Sequence, residues 1–170
     1  SKIKREITMY FKILADDLMH FDYVYHEGLN EDPKPFDEGT KKKGGLFFTD
    51  EKHILEFCDL GNKISEVIIP EKEKVVQAED AYKAHRIILK EIKELWDLET
   101  FKWMAASGVD LHAGSEYAFR MAIENGHIEV VKYLMNAGTD IHALNDDAFH
   151  IAMSRKNTEI INLLMNFKEH

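Results

Sequence analysis

The sequence has few of the residues that most often build special sites. It contains one cysteine, Cys58, and three prolines among its 170 residues. A single cysteine excludes an internal disulfide, and it excludes a zinc site made of several thiolates. His53 lies five residues before Cys58 on a predicted helix, which puts the two on different faces, so a buried structural thiol is favoured over a nucleophile paired with a base. We therefore expect no metal, no cofactor and no catalytic residue in this chain.

Positive charge and long apolar runs are also scarce. The 22 basic residues face 31 acidic ones, which gives a net charge of −9. Binding to nucleic acid depends on a cationic surface, so no nucleic acid partner is expected. No apolar run approaches the roughly 20 residues of a membrane-spanning helix, and the start of the chain lacks the apolar core of a signal peptide. These features predict an intracellular protein without a membrane partner.

A repeat with a fixed period occupies the second half of the chain. Residues 108–137 and 138–167 align at an offset of 30, with 11 identities in 30 positions. A partial earlier copy, residues 98–104, aligns with residues 128–134 at the same offset. Three segments that agree on one period indicate a stack of structural repeats.

Each copy of the repeat has the pattern of two short helices. In the middle copy the apolar residues from Ala118 to Ile123 recur at helical spacing, and Asn125-Gly126 ends them. A second helix is predicted from His127, with Val131 and Leu134 on its buried side, and Gly138 provides the stop. The unit is therefore a helix, a tight turn, a second helix and a glycine turn.

The stretch ENGHIEVVKYLMNAGTDIHA, residues 124–143, resembles an ankyrin repeat. His150 falls where the histidine of that family's T-P-L-H-x-A motif lies, and Arg120 takes the same place one copy earlier. The period departs from the family's 33 residues or so. The Thr-Pro opening is replaced by Tyr117-Ala118 and Asp147-Ala148, so a different turn is expected before each of these helices.

Shortened repeats with a D-I-H-A turn are similar to those of ankyrin proteins of giant DNA viruses, as in Mimivirus. The stretch Gly45–Asp50 also resembles a segment of the domain that precedes such repeats. This resemblance implies a viral protein that acts in the host cytoplasm as an interaction module or adaptor.

No copy of the repeat is visible before about residue 92, and the pattern there favours strands. Strands are predicted at residues 7–13, 22–26, 46–48, 64–69 and 75–76. Residues 31–45 read as an exposed loop, rich in charge, glycine and proline.

Two helices are also predicted in the N-terminal half. Thr49 or Asp50 caps one that ends at Gly61. The other covers residues 80–95, with a strand at residues 87–89 as the alternative. The predicted fold class is α+β: a small N-terminal α+β domain, residues 1–91, precedes a short stack of ankyrin-type helix pairs, residues 92–170.

The polar residues of the turns and of the first helix in each repeat form the predicted site. They are expected to face a protein partner, as ankyrin-type surfaces do. The candidates are Asp110, His112, Ser115, Glu116, Arg120, Asp140, His142, Asn145, Asp146, Asp147 and His150. Because this set is acidic in its second half, a partner with a basic patch is expected. For the histidines, a metal or pH-sensing ladder is the alternative to hydrogen bonding with neighbouring backbone.

The N-terminal half offers an alternative function of another class. The segments Tyr25–Asn30 and Gly45–Asp50 faintly resemble the nicotinamide-binding part of ADP-ribosyltransferases of the poly-ADP-ribose polymerase type. That resemblance would place His26 and Phe47 at the positions of the family's histidine and of the aromatic residue that stacks on nicotinamide. The family also has a glutamate, for which Glu66 is only a guess. The repeats would then target a nucleotide-binding or NAD-using domain.

Overall fold

The computed structural model describes residues 7–39 and 44–168. Within these residues, all the strands lie before residue 95. They are β1 (Tyr10–Leu14), β2 (Met19–His20), β3 (Tyr23–Val24), β4 (Gly28–Glu31), β5 (Leu46–Asp50), β6 (Lys63–Ile68), β7 (Val75–Ala78), β8 (Ala81–Ala84), β9 (Arg86–Leu89) and β10 (Lys93–Glu94). A 3₁₀ helix, Ile54–Phe57, lies between β5 and β6.

An antiparallel sheet with the strand order β4-β9-β6-β1-β5-β8-β7 organises this half, and β10 adds to β6. Strands β2 and β3 form a separate ribbon. The central strand β1 pairs with β6 along its whole length, but it pairs with β5 at Tyr10 and Phe11. From Lys12 onward β1 and β5 therefore diverge, and this divergence opens a gap in the sheet.

Most predicted strands are confirmed, with shifted ends. β1, β5, β6 and β7 overlap four of the predicted strands, and the predicted strand at residues 22–26 shrinks to the two residues of β3. The predicted loop at residues 31–45 lacks regular structure from Asp32 to Gly39, and its residues 40–43 lie outside the described part of the chain. The predicted helix after Thr49 and Asp50 is the four-residue 3₁₀ helix.

The helix predicted at residues 80–95 is wrong, and the alternative strand is right. β8, β9 and β10 occupy this segment. Ile87 and Leu89 are buried in alternation, and they face the core from a strand that pairs with both β4 and β6. Pairing with neighbouring strands overrides the helical spacing of the apolar residues.

Five helices follow the sheet. They are α1 (Leu98–Ala106), α2 (Ala113–Glu124), α3 (Ile128–Asn136), α4 (Ala143–Ser154) and α5 (Thr158–Asn166). Helices α1, α3 and α5 begin 30 residues apart, and so do α2 and α4. The structural period therefore equals the sequence period. No helix among the described residues has the length and apolar character that a bilayer crossing requires.

The helices stack in two rows. The outer row is α1, α3 and α5, in which each helix contacts the next. In the inner row α2 contacts α4 on one side and the 3₁₀ helix on the other. The first, partial repeat thus has an outer helix of its own, and the 3₁₀ helix of the N-terminal half takes the inner place beside it.

One hydrophobic core joins the sheet to the helices. Phe11, Ile54 and Leu55 belong to the same buried cluster as Phe101 and Met104. The ring of Phe11 lies edge-on to Trp103 of α1, with 5.7 Å between the centroids, so an aromatic contact also joins the sheet to the helices. A second cluster lies within the sheet. A division into domains 1–91 and 92–170 stays a prediction, since the first core has members on both sides.

Candidate partner-binding surface

Both inner helices begin with a left-handed turn. Three consecutive residues have positive φ at each start: Gly114, Ser115 and Glu116 in α2 (66°, 55°, 63°), and Leu144, Asn145 and Asp146 in α4 (53°, 56°, 62°). A left-handed conformation costs about 1–2 kcal/mol for each residue other than glycine. Other contacts must therefore hold these turns, which replace the Thr-Pro opening of the family pattern.

A set of aspartate, histidine and carboxylate contacts holds the first turn. The backbone N–H of His112 donates to Asp110 Oδ1 (2.9 Å), and that of Glu116 donates to His112 O (3.2 Å). The ring Nδ1 of His112 lies 2.8 Å from Glu116 Oε1. Because these contacts satisfy the backbone groups of the turn, they fix a conformation that would otherwise be unfavourable.

The second turn repeats this arrangement 30 residues later. His142 N donates to Asp140 Oδ1 (3.0 Å), and Asp146 N donates to His142 O (3.1 Å). The His142 ring contacts the Asp146 carboxylate through Nδ1 and stacks on Phe149, with 5.6 Å between the ring centroids. The recurrence of histidine in the sequence therefore reflects a repeated turn.

Two side chains of the first full repeat reach the next one. Glu116 Oε1 accepts a hydrogen bond from the backbone N–H of Asp140 (3.2 Å). Arg120 Nη1 lies 3.1 Å from Asp147 Oδ2, while Nε and Nη2 of the same guanidinium donate to the carbonyls of Ser115 and Gly114. Arg120 thus stabilises its own turn and the contact between repeats.

The exposure expected for Glu116 is therefore wrong. Its side chain is buried, with the residue 7% exposed, because the following repeat covers it. Arg120 and Asp147 are half-buried because they pair with each other. These three side chains make contacts within the fold, and we therefore leave them out of the surface defined below.

The other candidates are exposed, and they form what we call the turn surface. It consists of Asp110, His112, Ser115, Asp140, His142, Leu144, Asn145, Asp146 and His150. Among the described residues, no hydrogen bond involves the side chains of Ser115, Asn145 or His150. Leu144 was not among the residues predicted from the sequence. It is 56% exposed at the position that Gly114 holds in the copy before.

The histidines do not make the contacts expected of them. The rings of His112 and His142 contact carboxylates of their own turns. His127 precedes α3 and stacks on Trp96, with 4.9 Å between ring centroids, and burial lowers its pKa. Within residues 7–39 and 44–168, no group of three or more potential ligands is placed to hold a metal ion.

The start of the stack uses the same chemistry as the turns. Asp50 Oδ1 accepts from the backbone N–H of Lys52 (3.0 Å) and lies 2.7 Å from Nδ1 of His53, just before the 3₁₀ helix. This hydrogen bond raises the pKa of His53. The backbone N–H of Asp110 then donates to Glu51 O (2.8 Å), which attaches the first turn to the N-terminal half.

The residues of the alternative enzyme hypothesis do not line one site. Phe47 lines a cavity beside β1, but neither His26 nor Glu66 is part of that lining. His26 Nδ1 lies 2.8 Å from the carbonyl of Glu27, and Glu66 pairs with Lys90 (2.8 Å). Cys58 is buried, as expected, and burial raises its pKa to about 12.

The comparisons with known proteins agree with the repeat geometry. A family model described as "Ankyrin repeats (3 copies)" matches residues 92–170. The "Putative ankyrin repeat protein R229" of Acanthamoeba polyphaga mimivirus is 32% identical over 136 residues, which cover 70% of this chain and 44% of that protein. The chain thus spans less than half of that relative. No solved structure gives a significant match.

The alignment with a second relative covers a larger share of that relative's length. The "Uncharacterized protein R869" of the same virus is 31% identical over 133 residues, which cover 72% of this chain and 94% of that protein. The family model matches residues 92–170, which is less than the 72% of the chain that this relative covers. The similarity to this relative therefore extends into the residues of the sheet. The chain therefore belongs to the ankyrin-repeat proteins, and it is similar to members of that family from Acanthamoeba polyphaga mimivirus.

Proposed function

We propose that the chain is a protein-interaction module that holds its partner on the turn surface. The observation that carries this proposal is the locked backbone beneath it: Asp110, His112 and Glu116 fix one turn, and their counterparts fix the next. A surface that is already ordered loses less conformational entropy when it binds. Exposed Leu144 supplies an apolar contact in the middle of this polar surface.

The charge of the surface favours a partner with a basic patch. The eleven candidate residues include five carboxylates, and Arg120 is the cation among them that does not depend on histidine protonation. Arg120 is already paired with Asp147. A basic partner surface would therefore meet an excess of negative charge, and binding should weaken as salt screens that attraction.

We further propose that the module is an adaptor of viral origin that works inside the infected cell. The relatives that support this belong to a virus of Acanthamoeba polyphaga. Host cytoplasmic proteins are therefore the first partners to test.

We infer that the chain acts by binding and not by catalysis. The separation of His26 and Glu66 from the cavity at Phe47 supports this reading. Titration with NAD should give no binding at about 1 mM ligand, which corresponds to roughly −4 kcal/mol or weaker. Saturable NAD binding in the micromolar range would revive the enzyme hypothesis.

The binding proposal can be tested with a variant that spares the fold. Leu144→Asn and Asn145→Gly both suit left-handed backbone, and His150→Ala removes an exposed ring. A matched control changes three exposed residues of the outer helices: Glu129→Ala, Glu159→Ala and Asn162→Ala.

Nuclease-treated lysate of Acanthamoeba polyphaga is passed over the immobilised full chain and over each variant. We expect the wild type and the outer-helix control to retain the same protein, and the turn variant to lose at least about 90% of it, which corresponds to more than 1.4 kcal/mol of binding. Equal recovery by the turn variant would refute the assignment of the surface.

A further inference from the structure

The gap between β1 and β5 forms a cavity of about 520 Å³. It lies between the β2–β3 ribbon, the 3₁₀ helix and the turn that joins β7 to β8. This volume falls in the range of pockets that take small ligands, about 300–1,000 Å³. The cavity is distant in sequence from the turn surface and is independent of the partner proposed above.

The walls of the cavity are mainly apolar and aromatic. Phe47 and Phe57 line it, and at its edge three apolar side chains are exposed: Met19 (46%), Phe21 (50%) and Leu60 (59%). Apolar side chains clustered around one opening mark a binding site more often than apolar residues scattered singly. The cavity therefore suits a ligand with a hydrocarbon body.

A buried cation lies in this otherwise apolar place. Lys12 is 4% exposed, and its Nζ donates to the carbonyl of Phe47 (2.6 Å) across the gap. The ammonium also lies 4.4 Å from the centroid of the Tyr25 ring. Among the described residues no carboxylate pairs with Lys12, and burial lowers its pKa to about 7. A buried charge without an opposite charge is unfavourable, so a bound anion would stabilise the charged form of Lys12.

The other titratable groups near Lys12 do not supply that anion. His20 lines the cavity, and burial together with the charge of Lys12 lowers its pKa to about 4. Burial raises the pKa of Tyr25, so its phenol stays neutral near pH 7. Glu79 and Asp80 also line the cavity, but both are exposed to solvent, which screens their charge.

One polar group of the lining, the hydroxyl of Thr49, lacks a hydrogen-bond partner among the described residues. Thr49 is buried, and its hydroxyl oxygen makes no hydrogen bond to the described residues. It lies opposite Phe11, at the last paired position before the two strands diverge. A hydroxyl left unpaired in the interior costs about 1–3 kcal/mol, so it is a candidate donor to a bound ligand.

We propose that this cavity binds a small amphipathic carboxylate, whose head group pairs with Lys12 and whose hydrocarbon body lies against Phe47, Phe57 and Leu60. The ligand supplies the negative charge that the buried ammonium lacks. Its apolar part covers the exposed side chains at the opening.

Calorimetric titration of the full chain with decanoate, and with decanol as the uncharged analogue, tests this proposal. At about pH 6 Lys12 is protonated, and the wild type should bind decanoate at least tenfold more tightly than decanol, a difference of about 1.4 kcal/mol. Raising the pH to about 8.5 should remove most of this preference, because Lys12 loses its proton.

Variants identify the group responsible. Lys12→Met should bind decanol and decanoate equally, whereas Lys74→Met, a change at an exposed lysine, should keep the wild-type preference. Replacing Glu79 and Asp80 with Gln and Asn should strengthen decanoate binding about twofold by removing nearby negative charge.

The wild-type pH profile tests the proposal even if Lys12→Met fails to fold. Equal affinity of the wild type for decanoate and decanol at about pH 6, or no binding of either near 1 mM, would overturn it. A preference that persists in folded Lys12→Met would also overturn it.

Discussion

Replacing Glu116 with alanine removes the carboxylate that joins the two full repeats. In the folded chain this buried side chain accepts a hydrogen bond from Asp140 N (3.2 Å) and contacts the His112 ring (2.8 Å). The chain contains a natural control for this change. Asp146 makes the corresponding contact with His142, but it is exposed and no later repeat among the described residues covers it.

The magnitudes follow from this difference in burial. Each hydrogen bond to a charged group contributes about 1.5–3 kcal/mol, and loss of Glu116 leaves the Asp140 N–H without its acceptor. We therefore expect Glu116→Ala to lower the free energy of unfolding by about 2–3 kcal/mol. An exposed ion pair contributes about 0–1 kcal/mol, so Asp146→Ala should cost less than about 1 kcal/mol.

Urea unfolding followed by circular dichroism measures both changes. The midpoint should fall clearly for Glu116→Ala and only slightly for Asp146→Ala, with similar m values in both. In thermal unfolding the larger change corresponds to a decrease of about 4–12 °C for a chain of this size. Equal losses for the two variants, or less than about 1 kcal/mol for Glu116→Ala, would refute the inter-repeat role of this carboxylate.

Three further predictions concern the packing of the repeats, a left-handed backbone position and the buried lysine. Ile123→Ala should lower the free energy of unfolding in urea by about 2–4 kcal/mol, because Ile123 is buried. Met153→Ala, at the equivalent but exposed position, should change it by less than about 0.5 kcal/mol. Similar losses for the two variants would contradict the stacking order. Lys156 has a φ of 54° where the preceding copy has Gly126, so Lys156→Gly should raise stability by about 0.5–1 kcal/mol; a loss of stability would contradict this. The pKa of Lys12 is about 7 in the folded state, below its unfolded value, so stability attributable to Lys12 should rise between pH 7 and pH 10. Lys12→Met should remove that rise, and an unchanged pH profile would show that Lys12 is not the group responsible.

The helical half could be predicted from the sequence because the same pattern of residues occurs in it twice at a fixed spacing. Gly108 and Gly138 mark the same stop, and helices α1, α3 and α5 begin at the same offset. Local signals of this kind do not depend on distant parts of the chain. The change of turn chemistry was also predictable, since the Thr-Pro opening is missing, but its left-handed form was not.

Features that depend on contacts between distant segments could not be predicted. The apolar spacing of residues 80–95 fits a helix, and pairing with strands from elsewhere makes it three strands. The 3₁₀ helix completes the inner row, although its sequence shows no repeat pattern. Glu116 has the composition of a surface residue, and it is buried because another repeat packs on it.

The exposure of the candidate site residues was predictable to a similar extent, and their role in binding stays a prediction. The positions of the turn residues followed from the period, and seven of them besides His150 are exposed as expected: Asp110, His112, Ser115, Asp140, His142, Asn145 and Asp146. The pairing of Arg120 with Asp147 spans 27 residues, and it depends on how one repeat sits on the next. The burial of Lys12 could not be predicted, because the groups that contact it, the Phe47 carbonyl and the Tyr25 ring, come from other segments of the chain.

Hydrogen exchange of the chain in complex with its captured partner, followed by mass spectrometry, tests the proposed function most directly. Bound partner should slow exchange in residues 110–118 and 140–150, which contain the turn surface, and leave the outer helices α3 and α5 unchanged. Protection confined to α3 and α5, with none in the two turns, would contradict the proposal.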